Sequence, residues 1–193
     1  YQHRAYHFMK FWVSALFGIL IGILTAILVI NMAPDFLWIQ NGVWKTSIVA
    51  GSEQADPYTR AIVAKNYLYV LNKSEAVYFI ATSDSEKELD RNCDYRIVGK
   101  DLPARWWSIT VYGEDNFLID NEHKIYSVTS ANVVKRGDSW EIHISREQKG
   151  ENWIPLRGEG KFYLTLRLYN PESIVYERLK EIELPKIIRE GCR

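Results

Sequence analysis

Phe11 to Ile30 is an unbroken apolar run, FWVSALFGILIGILTAILVI, whose only polar side-chain groups are the hydroxyls of Ser14 and Thr25. The hydrocarbon core of a bilayer is roughly 30 Å thick and takes about 20 apolar residues in a helix. Residues 11–31 are therefore expected to form a single transmembrane helix, and whatever follows is a domain held beside a membrane. The flanks give a direction. Residues 1–10 contain Arg4 and Lys10 and no acid, whereas Asn31 to Lys45 contain Asp35 and no base before Lys45. Lys and Arg favour cytoplasmic flanks, which makes residues 1–10 cytoplasmic and places the C-terminal domain on the far side. The run exceeds the about 7–15 apolar residues of a signal peptide, and Val29-Ile30-Asn31-Met32-Ala33-Pro34 is a poor cleavage site. The segment is read as a retained signal-anchor. Gly18 and Gly22 form a small-xxx-small pair, which lets helix backbones approach closely, so they are the expected contact for self-association or for another membrane protein.

Lys plus Arg and Asp plus Glu both number 24. A neutral chain lacks the basic footprint of nucleic-acid binding. Of the two cysteines, Cys93 and Cys192, neither has a second Cys or a His at metal-ligand spacing, so no metal site and no cofactor are expected. In an oxidising compartment an even pair reads as a disulfide, here closing a loop of about 100 residues; the alternative is two buried thiols.

Residues 32–52 read as a juxtamembrane linker. Its Phe36, Leu37, Trp38, Ile39 and Trp44 suit the headgroup level of a bilayer, or else pack on the domain. Residues 53–193 suit one domain. Asp56-Pro57 is an N-cap followed by proline at the first helical position, and Ala61, Ala64, Leu68 and Leu71 recur at helical spacing, predicting an amphipathic helix over 57–71. Strand patterns follow at Ala76–Thr82, Tyr95–Gly99, Trp106–Tyr112, Phe117–Asp120, Ile125–Thr129, Trp140–Ser145, Phe162–Tyr169 and Ile174–Leu184, separated by turns such as Arg136-Gly137-Asp138-Ser139. In Phe162–Tyr169 the apolar positions are 162, 164, 166 and 168, so one face is buried and the other meets water or lines a groove. The fold class expected is mainly β: an antiparallel jelly roll or sandwich with one amphipathic helix, behind a single transmembrane helix.

Several motifs read together: Asp56-Pro57-Tyr58-Thr59-Arg60-Ala61, Cys93-Asp94-Tyr95-Arg96, Trp106-Trp107-Ser108-Ile109-Thr110-Val111-Tyr112, Asn152-Trp153-Ile154-Pro155 and Leu166-Arg167-Leu168-Tyr169-Asn170-Pro171. In this order they resemble the bacterial domain of unknown function 1214 family, in a short membrane-anchored form, over roughly residues 50–193. The resemblance implies a jelly-roll β fold and a Gram-negative envelope setting, hence an inner-membrane anchor and a periplasmic domain. In larger relatives a second β domain, of the unknown-function 1254 family, precedes this one; here the membrane helix stands in its place. The resemblance implies no reaction.

The residues supply no catalytic constellation either. Ser108 sits in a strand interior and lacks the Gly-x-Ser-x-Gly turn of a nucleophile elbow. His123 and His143 are the only histidines of the domain, and Glu114, Asp115, Asp120 and Glu122 read as solvated turn residues, although carboxylates paired in space could hydrolyse a glycoside. The more informative group is aromatic and Arg-rich. Arg105, Trp107, Tyr112, Trp153, Arg167 and Tyr169 are the candidate binding residues, since rings can stack a sugar or meet a protein and Arg can fix an anion. The expected function is a binding or scaffolding component of an envelope membrane complex, with the bilayer, other membrane or periplasmic proteins and carbohydrate as partners; the alternative is an envelope hydrolase acting on a polysaccharide or ester.

Overall fold

The structure is a computed structural model that describes residues 2–32, 38–47, 52–67 and 71–193. Helix α1 covers Gln2–Met32. Within it Met9–Asn31, 23 residues, is long and apolar enough to cross a membrane, and its side chains stay largely exposed. At 1.5 Å per residue that span is about 34 Å long. Thr25 Oγ1 donates to the carbonyl of Ile21 at 2.8 Å, so its hydroxyl is satisfied within the helix.

The domain is two sheets around one core. The first has six strands: β1 (Ile39–Asn41), β2 (Trp44–Thr46), β3 (Ala76–Ala81), β10 (Phe162–Pro171), β5 (Ala104–Gly113) and β6 (Ser127–Thr129), neighbours in that order. The second runs β11 (Lys186–Cys192), β4 (Cys93–Lys100), β8 (Ser139–Ser145) and β7 (Lys135–Arg136), with β9 (Trp153–Pro155) pairing β8 in parallel. All the other strand pairs are antiparallel. Inward residues from both sheets form one cluster, among them Phe79, Ile109, Leu164 and Leu166 from the first and Tyr95, Ile97, Ile142 and Ile144 from the second. Trp107 stacks on Trp140 across the sheets, ring centroids 4.7 Å apart, and Tyr95 meets Phe162 edge-on at 5.4 Å. The expected sandwich behind an apolar helix is thus present.

Helix α2 spans Pro57–Tyr67. Asp56 caps it as its sequence implies, Oδ1 accepting from the amides of Tyr58 at 2.9 Å and Thr59 at 3.1 Å. The expected extension to Leu71 passes through residues 68–70, which lie outside the described residues, and Leu71 itself is not helical.

Three expectations are corrected, and one pair of alternatives is decided. Residues 39–46, read as linker, form the β1–β2 hairpin and pair with β3 through Lys45 and Ile80. For Trp44 the second of its two readings holds, packing on the domain: it is buried in the core and donates from Nε1 to the carbonyl of Pro185 at 2.7 Å. Phe36 and Leu37 lie outside the described residues. Phe117–Asp120 makes only a single bridge, Leu118 to Tyr112, because the Asp115–Asn116 turn and an exposed Phe117 interrupt it. Ile174–Leu184 is not a strand: helix α3 (Ser173–Glu177) and a turn occupy it, and the last strand lies later, at β11. Helix α3 buries Val175, and Leu179 and Ile182 are buried from the turn that follows it.

Candidate functional site

Alternation puts the polar positions of β10, β5, β3 and β6 on the outer face of the six-stranded sheet. Cross-strand register then lays them out in rows. Tyr169 lies opposite Trp106; Arg167 lies between Tyr78 and Ser108, and Ser108 faces Thr129; Thr165 lies between Ile80 and Thr110, and Thr110 faces Ser127; Tyr163 lies opposite Tyr112. The two aromatic pairs are in contact. Tyr112 stacks on Tyr163 at 5.5 Å between centroids, and Trp106 tilts against Tyr169 at 4.9 Å. Between these banks the floor is made of small hydroxyl residues. Ser108, Thr110 and Thr165 are only 4%, 6% and 5% exposed, although they point away from the core.

Arg167 occupies the middle of the face. Its Nη1 donates to Thr110 Oγ1 at 3.1 Å and its Nη2 to Tyr112 OH at 2.7 Å. The guanidinium carbon lies 5.4 Å from the centroid of Tyr112 and 5.8 Å from that of Tyr78. Among the described residues no carboxylate lies within 4 Å of it. Lys45, opposite Ile80 at the β2 end of the face, is a second cation. The carboxylates that this face feels, Glu75 and Asp115, lie outside its strands. Burial pushes the Tyr163 phenol up to about 12, helped by the neighbouring Tyr112, and burial likewise raises Tyr78. These phenols stay protonated at physiological pH and act as neutral hydrogen-bonding groups. Tyr163 spends its proton on Asn116 Oδ1 at 3.0 Å.

Of the six residues singled out in sequence, three are on this face: Arg167, Tyr112 and Tyr169. Arg105 is exposed at the start of β5. Two belong elsewhere. Trp107 is 2% exposed and stacked in the core, because its phase on β5 is that of Ile109 and Val111. Trp153 is 6% exposed and hydrogen-bonds from Nε1 to the carbonyl and Oγ of Ser145, both at 3.1 Å. Sequence reasoning passed over Tyr78 and Tyr163, and of the adjacent Trp106 and Trp107, which point to opposite faces, it chose Trp107 for binding where the structure turns Trp106 outward. The signal for Trp106 was its shared phase with Ser108, Thr110 and Tyr112.

The opposite face of the sandwich differs in kind. There Arg96 is held by two carboxylates, Glu141 at 3.0 Å and Glu190 at 2.9 Å, and Lys149 by Asp94 at 3.0 Å. A cleft of about 150 Å³ on that side is lined by Arg136, Glu141, His143 and Asn152 among others. Asn152 is fully engaged there as a structural clamp, accepting from the amide of Val134 and donating to the carbonyls of Val134 and Glu141. Ser108 and His143 project from opposite faces, so they cannot form a nucleophile–base pair. His123 packs edge-on against Trp153 at 5.0 Å. Asp120 is held by Lys124 at 2.8 Å, and Glu114, Asp115 and Glu122 are exposed. Among the described residues no three His, Cys, Asp or Glu side chains converge as a metal site would require.

The expected bond between Cys93 and Cys192 is formed, joining residues 99 apart. Gly18 and Gly22 lie on an exposed helix with no other part of the chain near a Cβ built at either position.

Fold and face together define an antiparallel β-sandwich, attached to one membrane-length apolar helix, with an aromatic and hydroxyl-rich outer surface. The chain belongs to the family described as Protein of unknown function (DUF1214), whose model matches residues 75–173. That stretch contains β3 through β10 and every strand residue of the face apart from Lys45. No protein of curated function matches the chain. Among solved structures it is similar to the VPA0106 protein of Vibrio parahaemolyticus, with a TM-score of 0.58 and 24% identity, covering 72% of this chain and 36% of that one. An uncharacterised protein from Burkholderia cenocepacia matches with a TM-score of 0.41 and 15% identity, covering 76% of this chain and 46% of that one. The chain thus spans less than half the length of either, and the Vibrio likeness speaks to fold alone.

Proposed function

We propose that this protein is a binding or scaffolding component of a bacterial envelope complex, a periplasmic β domain tethered to the inner membrane by α1. The observation behind the reading is the apolar span Met9–Asn31, whose side chains stay largely exposed in the folded chain. Such a surface is stable in water only if lipid or another protein covers it. Anchoring fixes the domain within reach of the membrane and raises its effective concentration toward other envelope components. The outer face of the six-stranded sheet is the surface by which the domain engages them. Gly18 and Gly22 are the positions at which α1 packs on itself or on a neighbouring membrane helix.

The test is affinity purification of the full chain from detergent-solubilised membranes, beside the double variant Gly18→Leu, Gly22→Leu and, separately, Trp106→Ala. Envelope partners are expected with the native chain. Those held by the helix are lost on Gly→Leu substitution, and those held by the face are lost with Trp106→Ala. If nothing co-purifies with the native chain under mild solubilisation and crosslinking, the scaffold reading fails.

A further inference from the structure

We infer that the outer face of the six-stranded sheet binds an acidic polysaccharide, with Arg167 gripping a carboxylate on a sugar ring between two aromatic platforms. This rests on reading the domain as a binding module and names the ligand of its face. The first argument is charge. Arg167 is half-buried, and its two hydrogen bonds go to neutral hydroxyls. A guanidinium has five N–H donors, so three remain uncommitted among the described residues. A cation drawn out of water needs a counter-charge, and the rings of Tyr78 and Tyr112 compensate only in part. The same sandwich gives its structural cation, Arg96, two carboxylates. Arg167 has none among the described residues, and its rigid fork matches a carboxylate in a bidentate fashion.

The surroundings narrow the class. The hydroxyls of Ser108, Thr110 and Thr165 are covered, so the groups of this face that can meet a ligand are Arg167 and the partly exposed rings beside it. Aliphatic side chains on the strand rows are Ala76, itself buried, Ile80, and Ala104 with Pro171 at the end of β5 and β10, which is too little for the apolar centre of a protein–protein interface. Two cations, Arg167 and Lys45, are too few for a phosphate-dense polymer or an anionic lipid surface, which call for clusters of basic residues. The length fits a strand of sugars. Tyr163 and Tyr169 are six residues apart on β10, about 20 Å at 3.3–3.4 Å per residue, so the two aromatic banks bracket several rings. Their faces present negative π density to polarised C–H groups.

The test uses the full chain in non-ionic detergent, titrated with hexagalacturonate, with its carboxyl-reduced neutral counterpart and with inorganic phosphate, read by tryptophan fluorescence and calorimetry. Hexagalacturonate is expected to bind at least tenfold more tightly than the neutral hexamer, and phosphate is expected not to displace it. Arg167→Lys is expected to weaken binding at least tenfold in a chain that still unfolds cooperatively. Trp106→Ala is expected to weaken both hexamers and preserve their ratio. Equal binding of the two hexamers, no binding by folded protein, displacement by phosphate, or a folded Arg167→Lys chain that binds as before would each overturn the inference; the comparison of hexamers needs no variant. If hexagalacturonate fails while partners still co-purify in a Trp106-dependent way, only the ligand assignment falls. If the hexamer binds and no partner co-purifies, the scaffold reading falls and the glycan site stands.

Discussion

Arg189 shows how single side chains hold the carboxyl-terminal strand in place. Its Nε donates to Asp84 Oδ2 at 2.5 Å, its Nη2 to the carbonyl of Glu88 at 2.8 Å, and Nη1 lies 3.4 Å from the sulfur of Cys93. Its guanidinium also covers the ring of Tyr95 at 5.3 Å. Asp84 in turn accepts from the amides of Glu86 and Lys87 with Oδ1. Burial pushes the Asp84 carboxyl up, but the Lys87 amide, Arg189 and the Glu86 amide together outweigh it and leave the group below its ordinary 3.8. A carboxylate lowered in the folded state adds stability above its unfolded value, and that stability is lost as pH falls through the folded value. Asp84→Asn is therefore expected to destabilise the domain by about 2–3 kcal/mol at neutral pH. The gap to the native chain should close in denaturant titrations repeated below about pH 4; a gap of unchanged size at pH 3 would contradict the assignment. Gly99 makes a second residue-scale case. A Cβ there would collide with the Trp140 ring, which is itself buried and stacked on Trp107. Gly99→Ala is expected to cost about 1–3 kcal/mol by overpacking, measured as a lower denaturation midpoint. An unchanged midpoint would mean that the indole has room to shift.

Legibility divides at the level of elements. Strand β10 could be read directly, since four apolar residues in strict alternation allow one phase, and that phase placed Arg167 outside the core. The turn at Arg136–Ser139 was equally plain: Gly137 has a φ of +64, and Lys135 and Arg136 pair with Trp140 and Ser139. The three-residue strands β1, β2 and β9 are too short to show a period, so the hairpin of residues 39–46 looked like linker and Trp153 looked available. Strand β11 escaped notice because only Ile187 of its seven residues is buried. An edge strand so thinly packed depends on its covalent staple, and Cys192 lies directly opposite Cys93 in the β11–β4 register. The loop-entropy account gives a bond between residues this far apart about 4–5 kcal/mol. Cys93→Ser with Cys192→Ser is accordingly expected to lower stability by about 3–5 kcal/mol. Hydrogen exchange should accelerate at Lys186–Cys192 before it does in β10, the central strand of the other sheet. Uniform acceleration across both sheets would show that the bond supports the whole sandwich rather than its edge.

At the scale of the whole molecule, the apolar helix α1 and the disulfide make one joint prediction. Disulfides persist in oxidising compartments and are rare in the cytosol, so the Cys93–Cys192 bond and the proposed topology stand or fall together. With residues 1–10 inside and the domain outside, the full chain quenched in intact cells with a thiol-alkylating reagent should show no reactive cysteine before reduction and two after it. Cells without the periplasmic disulfide-forming machinery should yield two reactive thiols at once, together with the lower melting temperature of the double serine variant. The membrane fraction should retain the chain through an alkaline wash in every case, because α1 is independent of the bond. Two reactive thiols in otherwise normal cells would reverse the orientation and put the domain in the cytoplasm. That result would also remove the glycan proposal's setting while leaving its chemistry testable on purified protein. Release of the domain by the alkaline wash would instead mean that α1 is cleaved as a signal sequence, and the outer face of the six-stranded sheet would then belong to a protein free to diffuse.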